Sequence, residues 1–141
     1  MGKFKIRLEQ KPQKSDIKFL GNKLDQFNLA QTQVYDDKYL GIFVRDDHNK
    51  IVGGLYGMSW GGWLEIKYLW LREDLRRNGY GKKLLQMAEK EGKARGCKSV
   101  LLDTFSFQAP KFYKKFGYQV FGVLDKFPAR HKRFYLKKTL Y

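Results

Sequence analysis

The sequence predicts a mixed α/β (α+β) domain, and three observations carry that prediction. Several segments show the period-two alternation of half-buried strands. Between them lie stretches whose apolar residues are spaced by three and four, as on one face of a helix. The elements run strand, helix, three antiparallel strands, helix, strand, helix, two strands, an order that suits a mixed sheet flanked by helices.

Taken in order, Lys3 to Leu8 alternates charged and apolar residues and is predicted as a short strand. From Ser15, the residues Ile17, Leu20, Leu24, Phe27 and Leu29 mark a helix to about Ala30, with Ser15 or Asp16 as its cap. Tyr39–Val44 and Ile51–Met58 flank the polar turn Asp46-Asp47-His48-Asn49, so they read as a hairpin. Gly61-Gly62 makes a second turn before a long strand, Trp63 to Leu71. A polar stretch, Arg72 to Asn78, leads into a helix that starts at Gly79 and closes at Arg95-Gly96. Ser99 to Thr104 has the composition of a buried strand. Pro110 opens a short helix with Ala109, Phe112, Tyr113 and Phe116 on one face, and Gly117 stops it. Tyr118–Leu124 and Arg133–Leu140 are the last two strands.

With 141 residues, one compact domain spanning residues 1–141 is expected, and two ordinary ones do not fit. No apolar run reaches the roughly 20 residues of a membrane span. The start, Met1-Gly2-Lys3-Phe4-Lys5-Ile6-Arg7, lacks the apolar stretch of a signal peptide, and Ile6 stands where myristoylation wants Ser or Thr. A cytoplasmic location is therefore expected. The single cysteine, Cys97, excludes an internal disulfide and reads as a buried structural thiol. His48 and His131 are scattered, without carboxylates at ligand spacing, so no metal site is expected.

The net charge of +15 points to an anionic partner: a nucleic acid, an acidic substrate or a phosphorylated cofactor. The charge is spread along the chain without a polybasic block, which is the pattern of a solvated basic surface.

The segment Trp63 to Ala88 carries the strongest chemical signal: a strand runs into a glycine-containing loop that opens a helix. The first amides of a helix have no partner, and the macrodipole is positive there, so this end suits phosphate. Gly79 and Gly81 allow close backbone approach, and Arg76, Arg77, Lys82 and Lys83 add positive charge. Lys83 follows Lys82 where a P-loop needs Ser or Thr. The preceding strand belongs to an antiparallel meander, unlike that of a dinucleotide fingerprint.

Arg76-Arg77-Asn78-Gly79-Tyr80-Gly81 resembles the Arg/Gln-x-x-Gly-x-Gly/Ala motif of the GNAT superfamily of N-acetyltransferases. A second block, Ala109-Pro110-Lys111-Phe112-Tyr113-Lys114-Lys115-Phe116-Gly117-Tyr118, is similar to that family's Ala-x-x-(apolar)-Tyr-x-x-x-Gly-(Phe/Tyr) segment. Order and separation of the two blocks also match, and the element order matches from Lys3 to Leu140.

The resemblance implies a GNAT-like mixed central sheet with a splayed strand pair and flanking helices. It implies acetyl-CoA as co-substrate and a primary amine as acceptor, joined by direct attack in a ternary complex. Backbone amides of Arg76, Arg77, Asn78, Gly79, Tyr80 and Gly81, with Lys82, would surround the pyrophosphate. Leu69 and Leu71 would pair with the pantetheine arm. Tyr113 matches the tyrosine that protonates the leaving thiolate; read from the residues alone, it is a core side chain beside Phe112 and Phe116. Glu65 stands at the offset of the catalytic glutamate of the histone-acetyltransferase branch. Enclosure by Trp63 and Leu69 would make it a better proton acceptor; its plain alternative is a solvent-facing residue paired with Lys67. Where many members have an asparagine contacting the cofactor arm, this chain has Ser106, a shorter hydrogen-bonding group. Tyr35, Asp36, Asp37 and Tyr39 fall where acceptor contacts lie in the family. Homodimers are common in it, so self-association is a further expectation.

Two other functions stay open on the residues. The basic, aromatic-rich composition suits a nucleic-acid-binding domain. A GNAT-like domain that binds acetyl-CoA without catalysis is the second.

Overall fold

The computed structural model describes residues 2–141. They divide into two compact units, one ending at Tyr35 and the other Asp36–Tyr141.

The first unit contains one helix, α1 (Lys14–Thr32). It begins slightly before the expected caps, so Ser15 and Asp16 lie in its first turn, where the carboxylate of Asp16 complements the helix dipole. It ends at Gln33 in the left-handed region (φ 56°), whose amide donates to Leu29 O at 2.7 Å. No residue of α1 is buried. Residues 3–8 form no strand, contrary to their alternation. Alternation gives a segment two faces, but a strand also needs a ladder partner for its amides and carbonyls.

The second unit is a six-stranded sheet, in the order β1-β2-β3-β4-β6-β5, with two helices. Its strands are β1 (Lys38–Arg45), β2 (Ile51–Trp60), β3 (Trp63–Leu71), β4 (Ser99–Phe105), β5 (Gln119–Leu124) and β6 (Arg133–Thr139). Its helices are α2 (Tyr80–Ala94) and α3 (Pro110–Lys115), and a short 3₁₀ turn, Glu73–Leu75, follows β3. All neighbours are antiparallel except β3 and β4, which run parallel. Strand and helix ends fall within two residues of the expected positions.

Leu55, Leu64, Leu85, Val100 and Leu136 are fully buried, so the core lies between one face of the sheet and α2. α2 turns Leu84, Leu85, Ala88 and Gly92 inward. Gly92 sits so close to Leu64 that an added Cβ would lie 3.2 Å from Leu64 Cδ2. Gly96 (φ +83°) closes the helix, with Cys97 N–H donating back to Gly92 O at 2.8 Å, the six-to-one bond of a glycine-terminated helix.

Two features of β3 position the site. Its register with β2 shifts so that Lys67 has no opposite residue. This bulge lets Leu64 and Ile66 before it, and Leu69 and Leu71 after it, face the same side although the parity of their positions changes. In addition, β3 pairs with β4 only from Trp63↔Ser99 to Ile66↔Leu102. Both strands continue past that point, to Leu71 and Phe105, without pairing to each other. They therefore part into the expected splayed pair, and β3 beyond Ile66 has no strand neighbour on its β4 side.

Candidate active site

The open end of the splay is bordered by the loop from β3 to α2. Arg76 Nε donates to Leu71 O at 3.0 Å, which ties the loop to the strand end. The Asn78 amide donates to Asp74 O and Arg76 O at 3.3 and 3.1 Å and so braces the turn from inside. Arg77 (φ 65°) and Gly79 (φ 82°) are both left-handed, a conformation costly for arginine and easy for glycine. Gly79 O accepts from Lys83 N–H at 3.1 Å, the first bond of α2. Among the described residues, the amides of Arg77 to Lys82 donate to no protein group. These unengaged donors sit at the positive end of a 15-residue helix, with Arg76, Arg77 and Lys82 exposed around them.

The two glycines of this loop serve different ends. A Cβ on Gly79 would meet nothing within 4 Å, so glycine is there for its backbone angle. A Cβ on Gly81 would lie 3.2 Å from Phe112 Cζ and 3.7 Å from Leu71 Cδ1. Gly81 thus lets α3 and the end of β3 press against the start of α2.

α3 brings Tyr113 to the same region. Its ring is 7% exposed and packs edge-on to Phe112 and Tyr118, with centroids 5.2 and 5.8 Å away. The hydroxyl makes no hydrogen bond to the protein, yet among the described residues every fully buried side-chain oxygen and nitrogen has a partner. The Tyr113 oxygen is therefore at the boundary, with its ring enclosed and its proton reachable. Burial, with the nearby Asp103 carboxylate second, pushes its pKa up from 10.0 to about 12. Tyr118 next to it is also pushed upward, first by burial and then by Glu89, to which it donates at 2.8 Å. Lys138 completes that trio at 2.9 Å from Glu89.

Glu65 stands on the other face of the sheet, between the inward Leu64 and Ile66 and opposite Met58. It is exposed, without the apolar enclosure anticipated for it, and among the described residues no ion pair joins it to Lys67. The bulge at Lys67 breaks the simple same-face spacing on which that pairing rested. What the register does give Glu65 is location: it precedes by one residue the last pair before β3 and β4 part.

Ser106 Oγ accepts from Lys132 N–H at 3.0 Å, and Ser106 N–H donates to Lys132 O at 2.8 Å. The serine thus fastens two loops together, and its hydroxyl proton is still available to a ligand.

Two residues not singled out from the sequence also shape the site. Asp103 follows the last residue of β4 that pairs with β3 and holds Arg133 through Nε and a terminal nitrogen, both at 2.8 Å. Arg133 also lies 5.3 Å from the rings of Phe105, Phe127 and Tyr135. The clue to Asp103 was an acid at the end of an otherwise apolar run. Gln108 accepts from Phe105 N–H at 2.8 Å and from the Thr104 hydroxyl at 3.2 Å, shaping the turn into α3. Of the two histidines, His48 does have neighbouring carboxylates. The hairpin turn brings ligand atoms of Asp46, Asp47 and His48 within 4.8 Å of one another, in an exposed cluster. Asp46 is already engaged by the amides of His48 and Lys50.

A splayed parallel pair, free amides at a helix start and a boundary tyrosine on the next helix could together hold an extended, phosphate-bearing ligand. The Acetyltransferase (GNAT) family matches residues 6–118. An acetyltransferase of Agrobacterium fabrum is 34% identical over 121 residues, covering 86% of this chain and 88% of the relative. A blasticidin-S acetyltransferase of Streptomyces morookaense is 29% identical over 104 residues, covering 71% and 76%. The crystal structure of an acetyltransferase from Bacillus cereus superposes with a TM-score of 0.77 at 33% identity, covering 94% of this chain and 97% of that one.

The chain belongs to the GNAT family. It is an acetyl-CoA-dependent acetyltransferase. The nucleic-acid-binding and non-catalytic readings are not favoured by these relatives. Among the described residues no helix is long and apolar enough to cross a membrane.

Proposed function

We propose that residues 1–141 act as one N-acetyltransferase domain that moves the acetyl group of acetyl-CoA to a primary amine of a small molecule or peptide. The observation that carries this reading is the convergence of the β3–β4 gap, the unengaged amides of Arg77 to Lys82 and the Tyr113 hydroxyl on one region. The pyrophosphate of coenzyme A lies against those amides, with Arg76, Arg77 and Lys82 supplying charge. The pantetheine arm runs along Leu69 and Leu71, using backbone groups that β4 no longer reaches. Ser106 donates its hydroxyl proton to the arm from the opposite side.

The acceptor approaches from the face that carries Glu65. An ammonium loses a proton to Glu65, directly or through water, and the nitrogen lone pair attacks the acetyl carbon. The C–N bond forms, the C–S bond breaks with its electron pair passing to sulfur, and the nitrogen gives up its second proton to the departing thiolate or to water. Tyr113 donates toward that sulfur. A phenol with a pKa pushed up to about 12 keeps its proton at neutral pH and is a weak acid, so it stabilises the departing thiolate by hydrogen bonding. Acetyl transfer of this kind requires no metal. The blasticidin-S acetyltransferase relative makes blasticidin-S one acceptor to test. The free, buried Cys97 suits a cytoplasmic setting.

The test is release of free thiol from acetyl-CoA against a panel of polyamines, aminoglycosides, nucleoside antibiotics, amino acids and lysine peptides. Turnover with at least one amine, saturable in both substrates, is expected. Cofactor binding without turnover on any of them would contradict the reading.

A further inference from the structure

The Asp103–Arg133 pair beside the splay is more ordered than an ion pair on a sheet face needs to be. Arg133 lies opposite Phe105 on β6, and Tyr135 lies opposite Asp103, so Arg133 and Asp103 are diagonal neighbours on one face. The guanidinium is boxed by Phe105, Phe127 and Tyr135, each with its ring centre 5.3 Å away. The rings fix Arg133, and its planar fork fixes Asp103. The two side chains are 27% and 30% exposed, and an ion pair that open adds little to stability. Both contacts of the fork, at 2.8 Å, fall on the same carboxylate oxygen, Oδ2. Among the described residues no hydrogen bond is donated to Oδ1, so one oxygen is held and the other is left to accept.

The register says where that oxygen stands. Glu65 and Leu101 are opposite each other across the parallel strands β3 and β4. Side chains alternate along a strand, so Asp103, two residues past Leu101, lies on the Glu65 face. A strand spacing of about 4.8 Å and two residues of rise set their Cα atoms about 8 Å apart, before the parting of the strands widens the gap. Asp103 is also the charge that acts on the Tyr113 hydroxyl, so it stands at the same end of the gap as that group.

We propose that Asp103 is a specificity-determining residue for the acceptor, receiving a second cationic group on an amine whose reacting nitrogen is at Glu65, and that Arg133 is the positioning residue that holds Asp103 for it. This rests on the acetyl-transfer reading above and narrows it. The acceptor class is a diamine, or an amine with a guanidinium a short chain away. Its second cation donates a charge-assisted hydrogen bond to Oδ1. The carboxylate is already set in place, so little ordering cost falls on binding. An acceptor with a carboxylate in that position would meet Asp103 directly and be rejected.

Thiol release with matched acceptors tests this: diaminobutane against butylamine, and lysinamide against norleucinamide. Within each pair the members differ in the second charge. The wild type is expected to favour the doubly charged member by about ten- to a hundredfold in kcat/KM, the worth of one hydrogen bond between charged groups, mostly through a lower KM. Asp103→Asn keeps the shape and should bring that ratio to near unity. A general loss of folded enzyme lowers both rates and leaves the ratio alone. Arg133→Lys keeps the cation without the fork and should lower the ratio only part of the way. Equal kcat/KM within both pairs for the wild type, or a preference that survives Asp103→Asn, overturns the proposal and leaves acetyl transfer standing. An undiminished ratio in Arg133→Lys overturns the role given to Arg133. No thiol release with any amine overturns the acetyl-transfer reading and this proposal with it.

Discussion

Replacing Tyr113 by Phe isolates one proton. The ring stays, and with it the contacts to Phe112 and Tyr118 at 5.2 and 5.8 Å. The lost hydroxyl has no hydrogen bond within the protein, so no partner is orphaned and stability should change by less than about 1 kcal/mol. On the proposed mechanism the departing sulfur loses its donor. Losing a general acid lowers kcat by about 10²–10⁴-fold, or roughly 3–5 kcal/mol of barrier. The KM for acetyl-CoA should stay near the wild-type value, because the donation strengthens only as the C–S bond breaks. The raised pKa adds a second signature. Burial favours the neutral phenol, so ionisation moves from 10.0 up to about 12, and Tyr113 holds its proton at every pH below that range. The wild-type kcat profile should then show no alkaline fall due to Tyr113 until pH exceeds about 10, and Tyr113→Phe should lower the whole profile without changing its shape below there. The assay is thiol release followed with an aromatic disulfide; Cys97 is buried and its thiol pKa is raised by desolvation, so the enzyme itself adds little signal. A folded Tyr113→Phe enzyme with wild-type kcat would refute the reasoning and leave Tyr113 as a packing residue.

Two further substitutions probe the other side of the sheet. Glu65→Gln keeps the shape and removes the proposed base, so its rate should fall most near neutral pH and recover as free amine accumulates at higher pH; a loss equal at all pH values would assign Glu65 to acceptor binding instead. Gly57→Ala would place a Cβ 2.5 Å from Glu65 O, a backbone atom that must move beside the bulge. It should cost about 1–3 kcal/mol in urea unfolding and lower kcat together with stability, and an unchanged unfolding midpoint would show that β3 yields freely there.

Most strands and helices of the second unit were legible because they have one face turned to the core, and burial imposes its period on the sequence. Trp63–Leu71 is the clearest case, although its parity change between Ile66 and Leu69 also recorded the bulge, which element assignment alone passes over. Residues 3–8 show the limit of the same signal: the period is there, but pairing is a property of two segments. The loop glycines were found by motif, yet the motif did not separate Gly79, needed for its backbone angle, from Gly81, needed for contact with Phe112. Enclosure of Glu65 was misjudged because flanking Trp63 and Leu69 say nothing about what covers that face of the sheet. Asp103 was passed over because its significance comes from where β3 leaves β4, a fact of three-dimensional register.

The central claim is that the start of α2 holds the pyrophosphate of acetyl-CoA. Backbone amide resonances followed by NMR during titration with coenzyme A test it directly. The account predicts that the amides from Arg77 to Lys82 shift most, to lower field as they become hydrogen-bond donors, with smaller changes at Leu69 and Leu71. Saturable binding that leaves those six amides unmoved, while residues elsewhere respond, would contradict it.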